Sequence, residues 1–109
     1  MSYKVKSIAV FERQAKRLNK KYPSLLKDLR QLISELKENP EKGTPLGRNC
    51  FKIRLAIKSK GKGKSGGARI ITDVVIIEET VYLLSIYDKG EQANISDKEL
   101  TELLKQIPE

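Results

Sequence analysis

The chain has 109 residues, 39% of them hydrophobic and 33% charged, and a net charge of +8. That length supports one domain over residues 1–109 with a modest core, and no run approaches the ~18 apolar residues of a membrane span. With no histidine and one cysteine, Cys50, imidazole acid–base schemes, Cys/His metal clusters and an internal disulfide are excluded.

The elements follow in chain order. MSYKVKSIAV is basic, but its apolar part is too short and interrupted for a signal peptide; with the lone thiol, this points to the reducing cytoplasm. Tyr3 and Val5 alternate as in a short strand. Phe11, Ala15, Leu18 and Tyr22 fall on one face of a helix that ends at Pro23. Ser24 reads as the N-cap of a second helix with Leu25, Leu29, Leu32, Ile33 and Leu36 on one stripe, stopped at Asn39-Pro40. EKGTPLG reads as a turn-rich connection.

The period then changes. In CFKIRLAI, Phe51, Ile53, Leu55 and Ile57 alternate with Cys50, Lys52, Arg54 and Ala56, so Lys52 and Arg54 share the polar face of a strand. After KSKGKGKSGG come two more strands, ARIITDVVI and TVYLLSIYD, joined by an acidic turn at Glu78-Glu79. Ser96 and Glu99 form a capping box for a last helix, with Leu100, Leu103, Leu104 and Ile107 inward. The order β-α-α-β-β-β-α predicts an α+β fold, an antiparallel sheet covered by helices.

Charge is unevenly placed along this order. Residues 1–23 carry +6, residues 24–47 are neutral, residues 48–69 carry +8 without one acid, and residues 70–109 carry −6. A purely basic block implies a polyanionic partner, RNA, DNA or ribosome, where an ordinary solvated face would mix both signs. The acids do not cluster as metal ligands do, and no cofactor is expected. Gly63-Lys64-Ser65 is no P-loop, because the motif needs a glycine where Lys58 stands and a helix where ARII makes a strand. What remains is a glycine-rich connection able to follow a sugar–phosphate backbone, with Arg48, Lys58, Lys60, Lys62 and Lys64 as its RNA- or ribosome-binding cations. Arg54 and Arg69 sit on strands, so their guanidinium forks can be aimed.

The KIR strand, KSKGKGKSGGARII, LLSIYDKGE and the Ser-capped closing helix together resemble the RelE/ParE superfamily of toxin–antitoxin toxins, most closely its RelE-like and HigB-like branch. The resemblance covers essentially the whole chain. It implies a metal-independent endoribonuclease that cuts messenger RNA on the ribosome and is silenced by a cognate antitoxin, a small helix-turn-helix protein. It also implies catalytic roles for Lys52, Arg54, Arg69 and Lys89. Crowding among cations makes Lys52 the candidate base. RelE itself carries a tyrosine near the start of the closing helix and an arginine after the strand-end lysine; this chain has Ser96 and Gly90 there, which leaves Tyr87 as a substitute candidate. Two other readings stay open: a ParE-like toxin that inhibits gyrase by contact, and a non-catalytic RNA- or ribosome-binding module.

Overall fold

The computed structural model describes residues 2–108. The strands form where period-two alternation or a β-branched run is found, and the helices where apolar residues recur every third or fourth position. In order they are β1 (Lys4–Ser7), α1 (Ala9–Lys21), α2 (Leu25–Glu38), β2 (Thr44–Gly47), β3 (Cys50–Leu55), β4 (Ala68–Val75), β5 (Thr80–Asp88) and α3 (Asp97–Leu104), with single 3-10 turns at Lys58–Lys60 and Ile76–Glu78. The α+β class is as expected, with two differences.

First, TPLG is a strand. It pairs with β3, Thr44 opposite Lys52 and Gly47 opposite Cys50, across a two-residue turn in which Arg48 and Asn49 both have positive φ. Its Pro45 hides the strand from sequence reading, yet proline is tolerated at a sheet edge, where a missing N–H costs no ladder bond. Second, the sheet is mixed. Its order is β1-β5-β4-β3-β2, and β1 runs parallel to β5 while the other neighbours are antiparallel. That pairing joins the two ends of the chain and leaves no local signature.

Strands β4 and β5 are central and buried along nearly their whole length. Ile53, Leu55, Ile70 and Ile86 pack on the side covered by α1 and α2, whose own inward residues include Phe11, Leu18, Leu25, Leu29, Leu32 and Leu36. Beyond Leu83, β1 no longer covers the edge of β5, and α1 takes over: Gln14 accepts the Ile86 N–H at 3.0 Å and the Ser85 hydroxyl at 3.1 Å. The Ser96–Glu99 capping box forms at the start of α3. Ser24 does not cap α2; its hydroxyl donates to Asp28 Oδ2 at 2.9 Å and accepts from Ser59. No helix among the described residues is long and apolar enough to cross a membrane.

One polar knot joins three elements. Asp88 is only 2% exposed at the end of β5. Its carboxylate accepts from Lys60 Nζ at 2.5 Å, from the Tyr22 hydroxyl at 2.7 Å and from the Gly90 N–H at 2.9 Å. Burial alone would push the Asp88 carboxyl up, but these bonds and the Lys60 charge reverse that and hold it at about 2, below an ordinary 3.8. A depressed carboxyl contributes stability that is present above its unfolded value and lost as pH falls through its folded one. The gap corresponds to roughly 2 kcal/mol. Urea unfolding should therefore show stability falling between about pH 4 and pH 2. Asp88→Asn should flatten that acid limb and cost about 3 kcal/mol at neutral pH, because the largely enclosed Lys60 ammonium is left without its partner. An unchanged acid limb in that variant would refute the assignment.

Candidate functional site

Cross-strand register assembles the candidate residues. Arg54 on β3 lies opposite Arg69 on β4, and Arg69 lies opposite Tyr87 on β5. Directly opposed residues project from the same face, so these three form one row across the sheet. Lys52 shares that face two positions before Arg54, and its Nζ donates to Asn94 Oδ1 at 3.3 Å. Lys89 follows two positions after Tyr87; its N–H bonds Gly67 O at 3.0 Å and its Nζ donates to Ala93 O at 3.3 Å. Gly67 makes this join possible, since a Cβ there would run into the Leu55 carbonyl. All five expected catalytic residues thus stand at or beside one row.

The row runs from open to closed. Arg54 is exposed and Lys52 half-buried, whereas Arg69 and Tyr87 are 5% and 4% exposed. Arg69 is aimed, but at its own loop. It donates through Nη1 to Lys64 O at 2.9 Å and Ala68 O at 3.2 Å, and through Nη2 to Ser65 O at 3.3 Å. Tyr87 presents a buried hydroxyl with no hydrogen-bond partner among the described residues. Burial raises its pKa, the Arg69 charge pulls it back and Glu99 of α3 raises it further. At neutral pH Tyr87 is therefore a neutral O–H, equipped to donate.

The glycine-rich segment follows a defined path. Its first turn is tethered to α2, with the Lys58 N–H on Asp28 Oδ2 at 3.1 Å and the Ser59 N–H on Ser24 Oγ at 2.8 Å. Arg69 holds its far end. Lys58, Lys62 and Lys64 are exposed. Lys60, expected among the RNA-binding cations, is instead committed to Asp88, its side chain only 13% exposed. Arg48 also stands apart, at the opposite end of β3, where Nη1 donates to Thr101 Oγ1 of α3 at 2.8 Å. The sequence grouped these cations by charge alone, and only their carboxylate and hydroxyl partners separate them.

Sequence reading missed Lys42. Two adjoining hollows, of about 160 and 220 Å³, share Lys42, Arg54 and Lys64 in their walls; Lys58 borders the first and Lys52 the second. The signal was the neighbouring Gly43, read only as a turn residue. Cys50 is buried, and its thiol is pushed up to about 12 by burial and by its bond to Asp73, so it stays an inert S–H.

Residues 3–107 match the family model described as the RelE toxin of the RelE/RelB toxin–antitoxin system. The fold is similar to that of a free E. coli RelE mutant, with a TM-score of 0.64 at 19% identity, covering 99% of this chain and 100% of that one. It is also similar to the toxin–antitoxin complex RelBE of E. coli, at TM-score 0.61 and 19% identity over 80% of this chain and 96% of that one. A RelBE complex from Mycobacterium tuberculosis gives 0.59 and 18% over 86% and 95%. At these identities the structural likeness speaks for the fold alone. The family match spans all eight elements and the whole basic row, and by it this chain belongs to the RelE toxin family of toxin–antitoxin systems.

Proposed function

We propose that the protein is a ribosome-dependent endonuclease of messenger RNA, working without a metal and neutralised by a cognate antitoxin, a small helix-turn-helix protein. The observation that carries this reading is the row Arg54–Arg69–Tyr87 with Lys52 at its open end. It combines fixed guanidinium charge, an amine and an unpaired O–H donor within one cross-strand register. Family membership supplies the toxin and antitoxin context.

The chemistry suited to such a set is attack of the ribose 2′-hydroxyl on the adjacent phosphorus. Lys52 takes the hydroxyl proton as the new P–O bond forms. Arg54 meets the charged phosphorane directly, and Arg69 adds positive charge from a buried position where it is weakly screened. The P–O5′ bond breaks, and the departing oxygen takes its proton from Tyr87, whose phenolate Arg69 stabilises. The products are a 2′,3′-cyclic phosphate and a 5′-hydroxyl. Glu99 at the start of α3 is close enough for its charge to raise the Tyr87 pKa, which keeps the hydroxyl protonated and able to donate. Lys58, Lys62 and Lys64 supply attraction along the RNA backbone, and Lys89 steadies the end of β5 by its bond to Ala93.

Purified protein should cut messenger RNA on programmed ribosomes and leave cyclic phosphate ends. Arg54→Ala should lower the rate about 100-fold or more, with unfolding unchanged because the side chain is exposed. Equal cleavage by that variant would sink the site. Tyr87→Phe separates two roles of one hydroxyl: stability should hold or rise by about 1 kcal/mol, because an unpaired buried O–H is removed. Single-turnover cleavage should nevertheless slow at least about tenfold. If cleavage is unaltered, another group is the acid. Log affinity for single strands should fall against log salt with a slope of about 3, as for four phosphate contacts, and a flat response would remove any nucleic-acid reading.

A further inference from the structure

The backbone before β2 delivers a cation to the site from an unexpected quarter. Thr44 pairs with Lys52, so continuing the antiparallel register brings Gly43 alongside Ile53 and Lys42 alongside Arg54. Gly43 confirms the approach. Its φ is +108°, and a Cβ built on it would lie 2.6 Å from Lys52 O and 2.9 Å from an Ile53 side-chain carbon. Only glycine lets the chain press so closely on β3, and that pressure sets Lys42 in the wall shared with Arg54 and Lys64.

Lys42 is not idle there. Its Nζ pairs with Glu35 Oε2 of α2 at 3.0 Å. Two acids line the hollow on the α2 side, Asp28 and Glu35. Asp28 is buried and occupied by the Lys58 N–H and the Ser24 hydroxyl. Glu35 is about half exposed, at 45%, and Lys42 is its one partner among the described residues. A carboxylate therefore rests on a lysine, in the way a phosphate oxygen would, inside a cleft whose walls also hold Arg54, Lys58 and Lys64. Exposed ion pairs of this kind are worth little, so a phosphodiester can displace Glu35 at small cost.

We propose that Lys42, Arg54 and Lys64 form a second phosphate subsite for single-stranded RNA, next to the reacting row, and that Glu35 occupies it as an internal competitor until RNA arrives. This rests on the RNA-cleaving reading of the same face and extends it to a residue outside the basic block. Arg54 belongs to both sites, so one guanidinium links the phosphate at the reacting row to its neighbour along the strand. The chain then lies over the outer edge of β3, towards α2, rather than only along the glycine-rich segment.

The test is binding of a fluorescent 2′-O-methyl RNA oligonucleotide, which cannot be cleaved, to the full chain and to Lys42→Gln, Glu35→Gln and the double variant. Lys42→Gln should weaken binding about fivefold, and Glu35→Gln should tighten it about threefold at low salt. In the Lys42→Gln background the Glu35→Gln gain should shrink to less than half. Glu102→Gln on α3 serves as a remote charge control and should leave affinity unchanged. A pair that merely braces the fold would move both single variants towards weaker binding together, and that result overturns the subsite. So does full additivity in the double variant, which would reduce Glu35 to general repulsion. Because the probe resists cleavage, these outcomes are independent of the nuclease assay: cutting with no Lys42 effect rejects this subsite alone, and opposite shifts without cutting reject the chemistry alone.

Discussion

The carboxylate of Asp88 organises more of this molecule than any other polar group. It is sealed at the end of β5 and satisfied by Lys60, Tyr22 and the Gly90 N–H, which come from the glycine-rich segment, the end of α1 and the turn after β5. Three chain segments far apart in sequence must meet for one buried charge to be paired, and an unpaired buried charge is among the costliest defects a fold can carry. The demand makes the knot cooperative. It converts a lysine- and glycine-rich stretch, which would otherwise wander, into a connection with a fixed start.

The same segment is held at its far end by Arg69, through the carbonyls of Lys64 and Ser65. Site and scaffold are thus not separate. The guanidinium that contributes charge to the row also sets the path of the loop whose exposed lysines surround the row. Lys64 benefits directly, because its backbone is fixed by Arg69 while its side chain reaches the cleft shared with Arg54 and Lys42. A chain with 22 basic residues does not present them as a uniform positive face. Carboxylates and hydroxyls neutralise or divert Lys60, Arg48 and Arg17, while Lys42, Arg54 and Lys64 share the walls of the cleft beside β3.

The large features of the fold were legible because they depend on local periodicity. The stripe in α2, the alternation in β3 and the capping box at Ser96 each fall within a few consecutive residues, and each formed where expected. The misses share a cause. TPLG carries proline and glycine, which argue against a strand unless its place at the sheet edge is known. The parallel pairing of β1 with β5 joins residues more than 70 positions apart, beyond any window of sequence. For the site, the strand pattern was enough to put Lys52 and Arg54 on one face, but the register that sets Arg54 against Arg69 and Arg69 against Tyr87 needed the paired strands. Lys42 was invisible because its position depends on Gly43 touching β3.

The sequence alone determined the chemical inventory: no imidazole, a block of +8 without an acid, a glycine-rich connection ahead of a β-branched strand, and motifs that resemble the RelE family. Those properties belong to residue types and their order, and folding cannot alter them. Tertiary structure decided which of many similar cations are free to act. A lysine looks the same in any sequence, but whether its ammonium meets Asp88, Glu35 or open solvent depends on partners that only the folded chain brings within hydrogen-bonding distance.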